Sequence, residues 1–571
     1  MDYKKAYEAW LNSSYFDENT KNELLSIKDN EKEIQERFYK NLEFGTGGLR
    51  GIIGAGTNRI NIYTVRRSTL GLVNYILKSM GDTGKAKGVV IAYDSRYKSK
   101  EFCIEAAKTL AAYGIKAYIF DDLRPTPELS FALRYLNCAM GIVITASHNP
   151  KEYNGYKVYG PDGGQVCIDM ANEIINEVNK IEDYSVIKTI DFDEAVNKNM
   201  IIELNNEVDD AFIEAVKSQI INKDVIDEYG KYLKVIFTPI HGTGNKSIRR
   251  VLSEAGFENV EVVKEQENPD ASFSTVKYPN PEEKSVFNIA IEMAKKDNVD
   301  LIIGTDPDCD RVGVVVKNLN GEYVVLNGNQ VGSLLVRYVL ESLVLKNKLP
   351  KNSVVVKTIV TSELGAKIAN YYGVECLNTL TGFKFIGEKI NEFELNSNND
   401  DTPTFIMGYE ESYGYLIGTH ARDKDGVVSA LLICEMASFY KSQGLSLYEG
   451  LVETYEKFGY YKEDLKYITL EGIEGIEKIK RIMNYFRNSK MDNIADIKIT
   501  NVLDYKKGIS NLPKSDVVKF LLEDESWIAV RPSGTEPKIK FYFGTNSDNE
   551  VDVDSKLSKL MYSMTKIVDS I

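Results

Sequence analysis

Ser147 stands in the segment TASHNP (Thr145 to Pro150), directly after the apolar run GIVI. A strand there would place the hydroxyl on a loop at the carboxyl end of a parallel sheet, where α/β proteins present their reacting groups. His148 beside it could hydrogen-bond a group that the serine carries. The six residues also read as an ordinary strand-to-turn segment stopped by Pro150. The glycines of a G-x-S-x-G elbow are missing, so no hydrolase triad is indicated.

Asp306, Asp308 and Asp310 follow the apolar run DLIIG at every second position in GTDPDCDRVG. That spacing turns three carboxylates to one side of a turn, a cluster of oxygens suited to a hard cation such as Mg²⁺. Three like charges this close are costly without a cation, which weighs against a merely solvated acidic turn. An EF-hand is excluded, because its glycine and glutamate positions hold Arg311 and Lys317. Arg311 could neutralise part of the cluster or hold an adjacent phosphate.

In RPSGTEPKIKFY, an arginine, two hydroxyls, a glycine and two lysines follow the run WIAV. Arg531, Ser533, Thr535 and the backbone near Gly534 suit a phosphate, the guanidinium fork adding geometry. A polar hairpin turn is the plain alternative. GYEESYGY sets Glu410 and Ser412 one residue apart after TFIM, a pair able to hold vicinal sugar hydroxyls or to sit in a solvated loop. His420 and Lys424 of GTHARDKDG, and Lys384 of TGFKF, could serve an anion or face solvent.

Apolar β-branched runs alternate with amphipathic stretches from KGVVIAYDSR to GIVITASHNP, and the rhythm restarts near KYLKVIFTPIHGTGN and SVVVKTIV. Three α/β units of similar size are predicted, each a set of βαβ turns on a mixed, mainly parallel sheet. Residues 1 to about 40 read as an N-terminal helical extension. The tail, with a helix near Ile473 to Arg487, two or three strand-like runs and a last helix from Lys556 to Ile567, reads as an α+β module. Polar stretches at Asp191 to Asp209, Asn396 to Asp401 and Asn488 to Asp496 are candidate linkers or exposed loops.

The 571 residues carry 70 Lys and Arg against 84 Asp and Glu, a net charge of −14 whose field repels nucleic acid. An anionic ligand must therefore meet a local basic pocket. No apolar run of transmembrane or signal-peptide length is present, and a cytoplasmic protein without membrane partner is expected. The six scattered cysteines form no CxxC pair and are expected to be reduced thiols.

TASHNP, GTDPDCDR, GYEES and RPSGTEPK, in that order and one per unit, resemble the four signature loops of the α-D-phosphohexomutase superfamily. FGTGGLRG and GYEESYGY are most similar to the branch with bacterial phosphoglucomutases and animal phosphopentomutase. The resemblance implies a heart-shaped protein of four domains, here residues 1–208, 209–324, 325–456 and 457–571, the last of the TATA-binding-protein-like type. It implies that Ser147 carries a transferable phosphoryl group and that the three aspartates hold Mg²⁺ together with an oxygen of that phosphoserine. Glu410 and Ser412 would then bind sugar hydroxyls, and Arg531, Ser533, Gly534 and Thr535 the non-reacting phosphate. Arg50, Arg96 and Arg311 would line the phosphoserine side, and Lys157 matches a general acid/base position.

Many relatives have Glu-x-Ser-Gly-His in the sugar loop, whereas Tyr413, Gly414 and Tyr415 follow Ser412 here. The acid/base expectation therefore falls on Lys157 or His148. The implied activity is a phosphosugar mutase acting on a small-molecule phosphosugar, glucose phosphate first and mannose or pentose phosphate as alternatives. Glucose 1,6-bisphosphate would be its primer and intermediate, and the C-terminal domain would close and open in turnover, in a monomer or homodimer. Two rivals are a haloacid-dehalogenase-like phosphatase, suggested by the strand followed by Asp306-x-Asp308, and a non-catalytic sugar-phosphate sensor.

Overall fold

The computed structural model describes residues 2–45, 47–399, 401–470, 472–489, 491–509, 511–533 and 538–571. The chain builds four sheets in succession. In the first, the strands Met140–Ile144, Val89–Tyr93, Ala117–Phe120 and Ile201–Leu204 are parallel neighbours. The strand Tyr153–Tyr159 pairs antiparallel with Met140–Ile144 on one side and with Gly48–Ile52 on the other. Every residue of Val89–Tyr93 and Met140–Ile144 is buried, as expected for strands covered by helices on both faces.

The second sheet runs parallel through Val260–Val262, Val235–Thr238 and Leu301–Thr305, then antiparallel through Val312–Lys317 and Tyr323–Leu326. In the third, Glu375–Thr379, Ser353–Thr358 and Thr404–Glu410 are parallel, and Gly414–Ile417 is antiparallel to the last. Each unit thus brings a buried parallel strand to an end at a sequence-predicted loop: Ile144 before the serine, Thr305 before the aspartates, Glu410 at the glutamate.

One arrangement differs from the expectation. The acidic stretch 191–209 is not a linker: it forms the helix Phe192–Asn197, the edge strand Ile201–Leu204 and the start of the helix Asn206–Lys217. Ala195, Ile201, Val208 and Phe212 are buried while the charges between them face out, so a charge-rich composition masks amphipathic elements. The second and third units also share one hydrophobic core. The helix Gly426–Ser442 of the third packs on Lys223–Tyr229 and Gly244–Ala255 of the second, and its buried Glu435 accepts hydrogen bonds from the Ile221 amide (2.9 Å) and the Tyr338 hydroxyl (2.7 Å).

The tail is a wholly antiparallel sheet in the order Tyr460–Thr469, Lys538–Ser547, Trp527–Pro532, Val518–Leu522, Ile497–Asp504, Asn493–Ile494. The helices Gly472–Asn488 and Glu550–Asp569 carry the apolar residues that pack on it. Trp527, Ala529 and Tyr542 instead pack with Ile359, Val360, Leu380 and Phe385 of the third unit. This is the α+β module expected, with more strands than the sequence pattern distinguishes. Among the described residues no helix is long and apolar enough to cross a membrane.

Candidate active site

Ser147 sits in the left-handed region at φ 51° and is 3% exposed. The loop is held in that strained turn from beneath. Asp94 accepts hydrogen bonds from the Thr145 hydroxyl (2.6 Å), the Ser99 hydroxyl (2.7 Å) and the Arg96 amide (2.9 Å), and the Thr145 hydroxyl takes the Ser147 amide at 2.8 Å. Arg96 lies on the serine side, as the resemblance implies, and there it grips the loop. Its guanidinium donates to the carbonyls of Ser147, Asn149, Pro150 and Tyr153 and so clamps the loop's backbone. Arg50 approaches from the neighbouring edge strand and donates to the Asn149 side chain at 3.0 Å.

The serine hydroxyl meets two partners. It donates to Asp306 Oδ2 at 2.8 Å and lies 3.1 Å from His148 Nδ1. Burial, with Arg311 and Arg50 nearby, holds the His148 imidazole well below its ordinary pKa, so the ring is neutral. The tight turn after Thr305, with Cys309 at φ 54°, gathers the three aspartates so that one oxygen of each lies within 4.8 Å of the others. Asp306 Oδ1 accepts the amides of Asp310 and Arg311, both at 3.0 Å. Asp308 Oδ2 accepts the Thr126 hydroxyl and Lys157 Nζ, each at 2.8 Å. Asp310 Oδ2 lies 3.1 Å from Lys424 Nζ and 3.4 Å from Lys157 Nζ.

Asp308 Oδ1 and Asp310 Oδ1 remain buried without a hydrogen-bond partner. Two orphaned carboxylate oxygens beside a third buried carboxylate are an expensive arrangement unless a cation joins them. The donor set is all oxygen, which fits a hard divalent ion of the Mg²⁺ kind held by Asp306, Asp308 and Asp310. Burial opposes ionisation of Asp310, but Lys424, Lys157 and Arg311 together hold its carboxyl far below the ordinary range. Burial also disfavours the Lys157 ammonium, yet Asp308 and Asp310 outweigh it and raise its pKa. Lys157 is therefore a charged donor committed to the aspartates.

A cavity of about 570 Å³ opens between the first three units and the C-terminal sheet. Arg50, His148 and Arg311 line one side; Glu410, Glu411, Ser412 and Gly382 line another; Arg531, Lys540 and Tyr542 line a third. Ser147 is not itself on the wall, but its hydroxyl lies 3.1 Å from Nδ1 of His148, which is. Glu410 is 7% exposed and accepts the Gly382 amide at 2.8 Å. Burial pushes its carboxyl up to about 7, Lys424 opposing and Glu411 adding to the shift. Arg311 also donates to the Ser412 carbonyl at 2.9 Å, tying the aspartate turn to the glutamate loop.

Several expected residues take other places. His420 is outside the cavity: its Nε2 bonds Asp425 at 2.7 Å, and Asp425 caps the helix Gly426–Ser442. Lys384 also lies off the cavity wall, its ammonium 5.2 Å from the Phe385 ring and its pKa lowered by burial. Lys424 joins the aspartates rather than the cavity lining. Gly534 and Thr535 lie outside the described residues. Sequence reasoning missed the roles of Thr126, Lys540 and Glu463. Lys540 stands opposite Arg531 in the sheet register, and Glu463 faces the cavity with its carboxyl pushed up to about 7, chiefly by burial.

Profiles of the phosphoglucomutase/phosphomannomutase family match the chain in all four parts. Its α/β/α domains I, II and III fall on residues 41–185, 210–321 and 327–458, and its C-terminal domain on 487–552. The chain is 38% identical over 543 residues to the phosphoglucomutase of Staphylococcus haemolyticus, covering 93% of this chain and 95% of that protein. It is also 38% identical to the phosphoglucomutase of Staphylococcus aureus, covering 93% and 94%. In fold it is similar to parafusin, a phosphoglucomutase from Paramecium in an open form, with a TM-score of 0.70, 19% identity and coverage of 93% and 95%. A phosphomannomutase described as putative from Thermus thermophilus superposes with a TM-score of 0.68 at 23% identity, covering 93% and 99%. With all four domains matched in order and more than nine-tenths of the curated relatives' length spanned, this chain belongs to the phosphoglucomutase/phosphomannomutase family.

Proposed function

We propose that this protein interconverts a sugar 1-phosphate and the sugar 6-phosphate, glucose phosphate first, through a phosphoserine at Ser147 and a bisphosphorylated sugar. The observation that carries the reading is one arrangement: Ser147 hydrogen-bonded to the aspartate cluster at one side of the cavity, with Arg531 and Lys540 at another. A cationic wall apart from the serine suits a ligand with two phosphate positions, one reacting and one held.

In the forward half, the P–O bond to Ser147 Oγ breaks as a P–O bond forms to the sugar hydroxyl. The hydroxyl's proton must leave, and His148, neutral and on the cavity wall, is placed to take it. Lys157, held charged, orients the aspartates instead. The bisphosphate then turns over, and its other phosphoryl returns to the serine oxygen while the proton goes back to the sugar oxygen. Bound Mg²⁺ would draw charge from the transferring oxygens. Glucose 1,6-bisphosphate serves as primer by loading Ser147. The phosphatase alternative needs Asp306 as nucleophile, yet Asp306 is wholly buried and its oxygens accept two amides and the serine hydroxyl.

A coupled assay with Mg²⁺ and glucose 1,6-bisphosphate tests the reading on glucose, mannose and ribose 1-phosphates. The highest kcat/KM is expected for glucose 1-phosphate, and the absence of exchange on all three would reject a mutase. Arg531→Gln should raise KM about 10- to 100-fold for both the 1- and the 6-phosphate, the worth of a charge-assisted hydrogen bond. An effect confined to one isomer would argue against a shared clamp.

Glu410 gives a pH prediction. The ionised carboxylate is the better acceptor for sugar hydroxyls, and its pKa is raised to about 7. KM should therefore fall several-fold as pH rises from about 6 to 8, and the profile should flatten in Glu410→Gln. Because the folded pKa exceeds the unfolded one, the same group's contribution to stability is lost as pH rises through 7, so tighter binding and lower stability should appear together.

A further inference from the structure

The N-terminal extension leaves a second cavity of about 470 Å³ against the first unit, sharing no lining residue with the central one. The helix Tyr3–Asn12 contributes Trp10, the turn after it Phe16, the helix Ile62–Lys87 Arg67, and the turn Tyr184–Val186 Tyr184. Trp10 stacks on Phe16 with ring centroids 4.1 Å apart, and Tyr184 meets Trp10 edge-on at 5.5 Å. Arg67 is 6% exposed, and among the described residues its one hydrogen bond is from Nε to the Ile181 carbonyl at 2.9 Å. Among the described residues no carboxylate lies within ion-pairing distance of it. The Tyr184 hydroxyl, within the field of that charge, is buried without a hydrogen-bond partner.

A guanidinium buried to this degree without a counter-charge is costly, and proteins that keep one commonly pair it with an anion. With Nε engaged, the two Nη groups present a flat fork that matches the two oxygens of a carboxylate. Glu182 and Asp183 also line the cavity and are exposed, and they repel a dianion about twice as strongly as a monoanion, which favours a single charge over a phosphate. The volume lies in the range of small-molecule sites, and the aromatic walls favour a flat apolar body. We infer that this cavity is a ligand site, separate from the central one, for a small monocarboxylate with an aromatic or similarly flat apolar body.

The chain has two tryptophans, so Trp527→Phe leaves Trp10 as sole reporter. Titrating that protein with benzoate should give a saturable change in Trp10 emission, unaffected by glucose 1,6-bisphosphate. Inorganic phosphate and benzyl alcohol should give none. Arg67→Met should weaken benzoate about tenfold or more. Ala6→Phe, which fills the cavity without touching the charge, should abolish binding and decides the matter if Arg67→Met melts early. No saturation with benzoate, equal affinity for benzyl alcohol, or undiminished binding in Ala6→Phe would each overturn the proposal.

Discussion

Ser147→Ala is expected to lower kcat on glucose 1-phosphate by three or more orders of magnitude, about 4 kcal/mol or more of barrier. In the proposed mechanism the serine oxygen alone carries the phosphoryl group, the aspartates being committed to the cation. His148 is a nitrogen base beside the serine, and each aspartate already has an oxygen engaged by backbone amides or by side-chain donors. The fold should survive, because alanine tolerates φ 51° about as well as serine and the loop is clamped through Arg96, Asp94 and Thr145 rather than through Oγ. Wild-type protein incubated with glucose 1,6-bisphosphate should gain one phosphoryl group on the peptide bearing Ser147, by mass spectrometry. Near-normal turnover in the alanine variant, with native melting, would end the phosphoserine account.

The second large effect concerns the aspartates. Mg²⁺ that binds the folded chain alone should raise stability by about 2.7 kcal/mol at a hundred times its Kd, read as an upward shift in melting temperature. Asp308→Asn keeps the volume and can still accept from Thr126, but it removes a charge from the cluster and weakens the hold on Lys157. The magnesium-dependent shift should largely vanish, and turnover should fall by two or more orders of magnitude, about 3 kcal/mol. A variant that Mg²⁺ stabilises as well as wild type would show that the ion, if bound, sits elsewhere. Chelation of wild-type protein should reproduce the loss of turnover and reverse on adding Mg²⁺.

The loops that matter were legible because their signals are local. A buried β-branched run ending in TASHNP or GTDPDCDR announces a strand and the turn at its carboxyl end, and the alternation of Asp306, Asp308 and Asp310 turns their carboxylates together with little help from the rest of the chain. The three α/β units followed from the same rhythm. Where charge was dense, as at 191–209, composition hid real elements, since only a few buried apolar side chains carry the pattern there.

What each polar residue does was settled in three dimensions. The resemblance puts Arg96 on the serine side, and only the fold shows that it clamps the loop's carbonyls there; Lys424 and His420, four residues apart, go respectively to Asp310 and to a helix cap. Thr126 reaches Asp308 from 182 residues away, and Lys540 faces the cavity only because antiparallel register sets it against Arg531. Residue type and spacing along one strand determine which way a side chain leaves the backbone. Which opposite charge it meets within 3 Å depends on how separate sheets and their shared core pack, and that information is distributed over the whole chain.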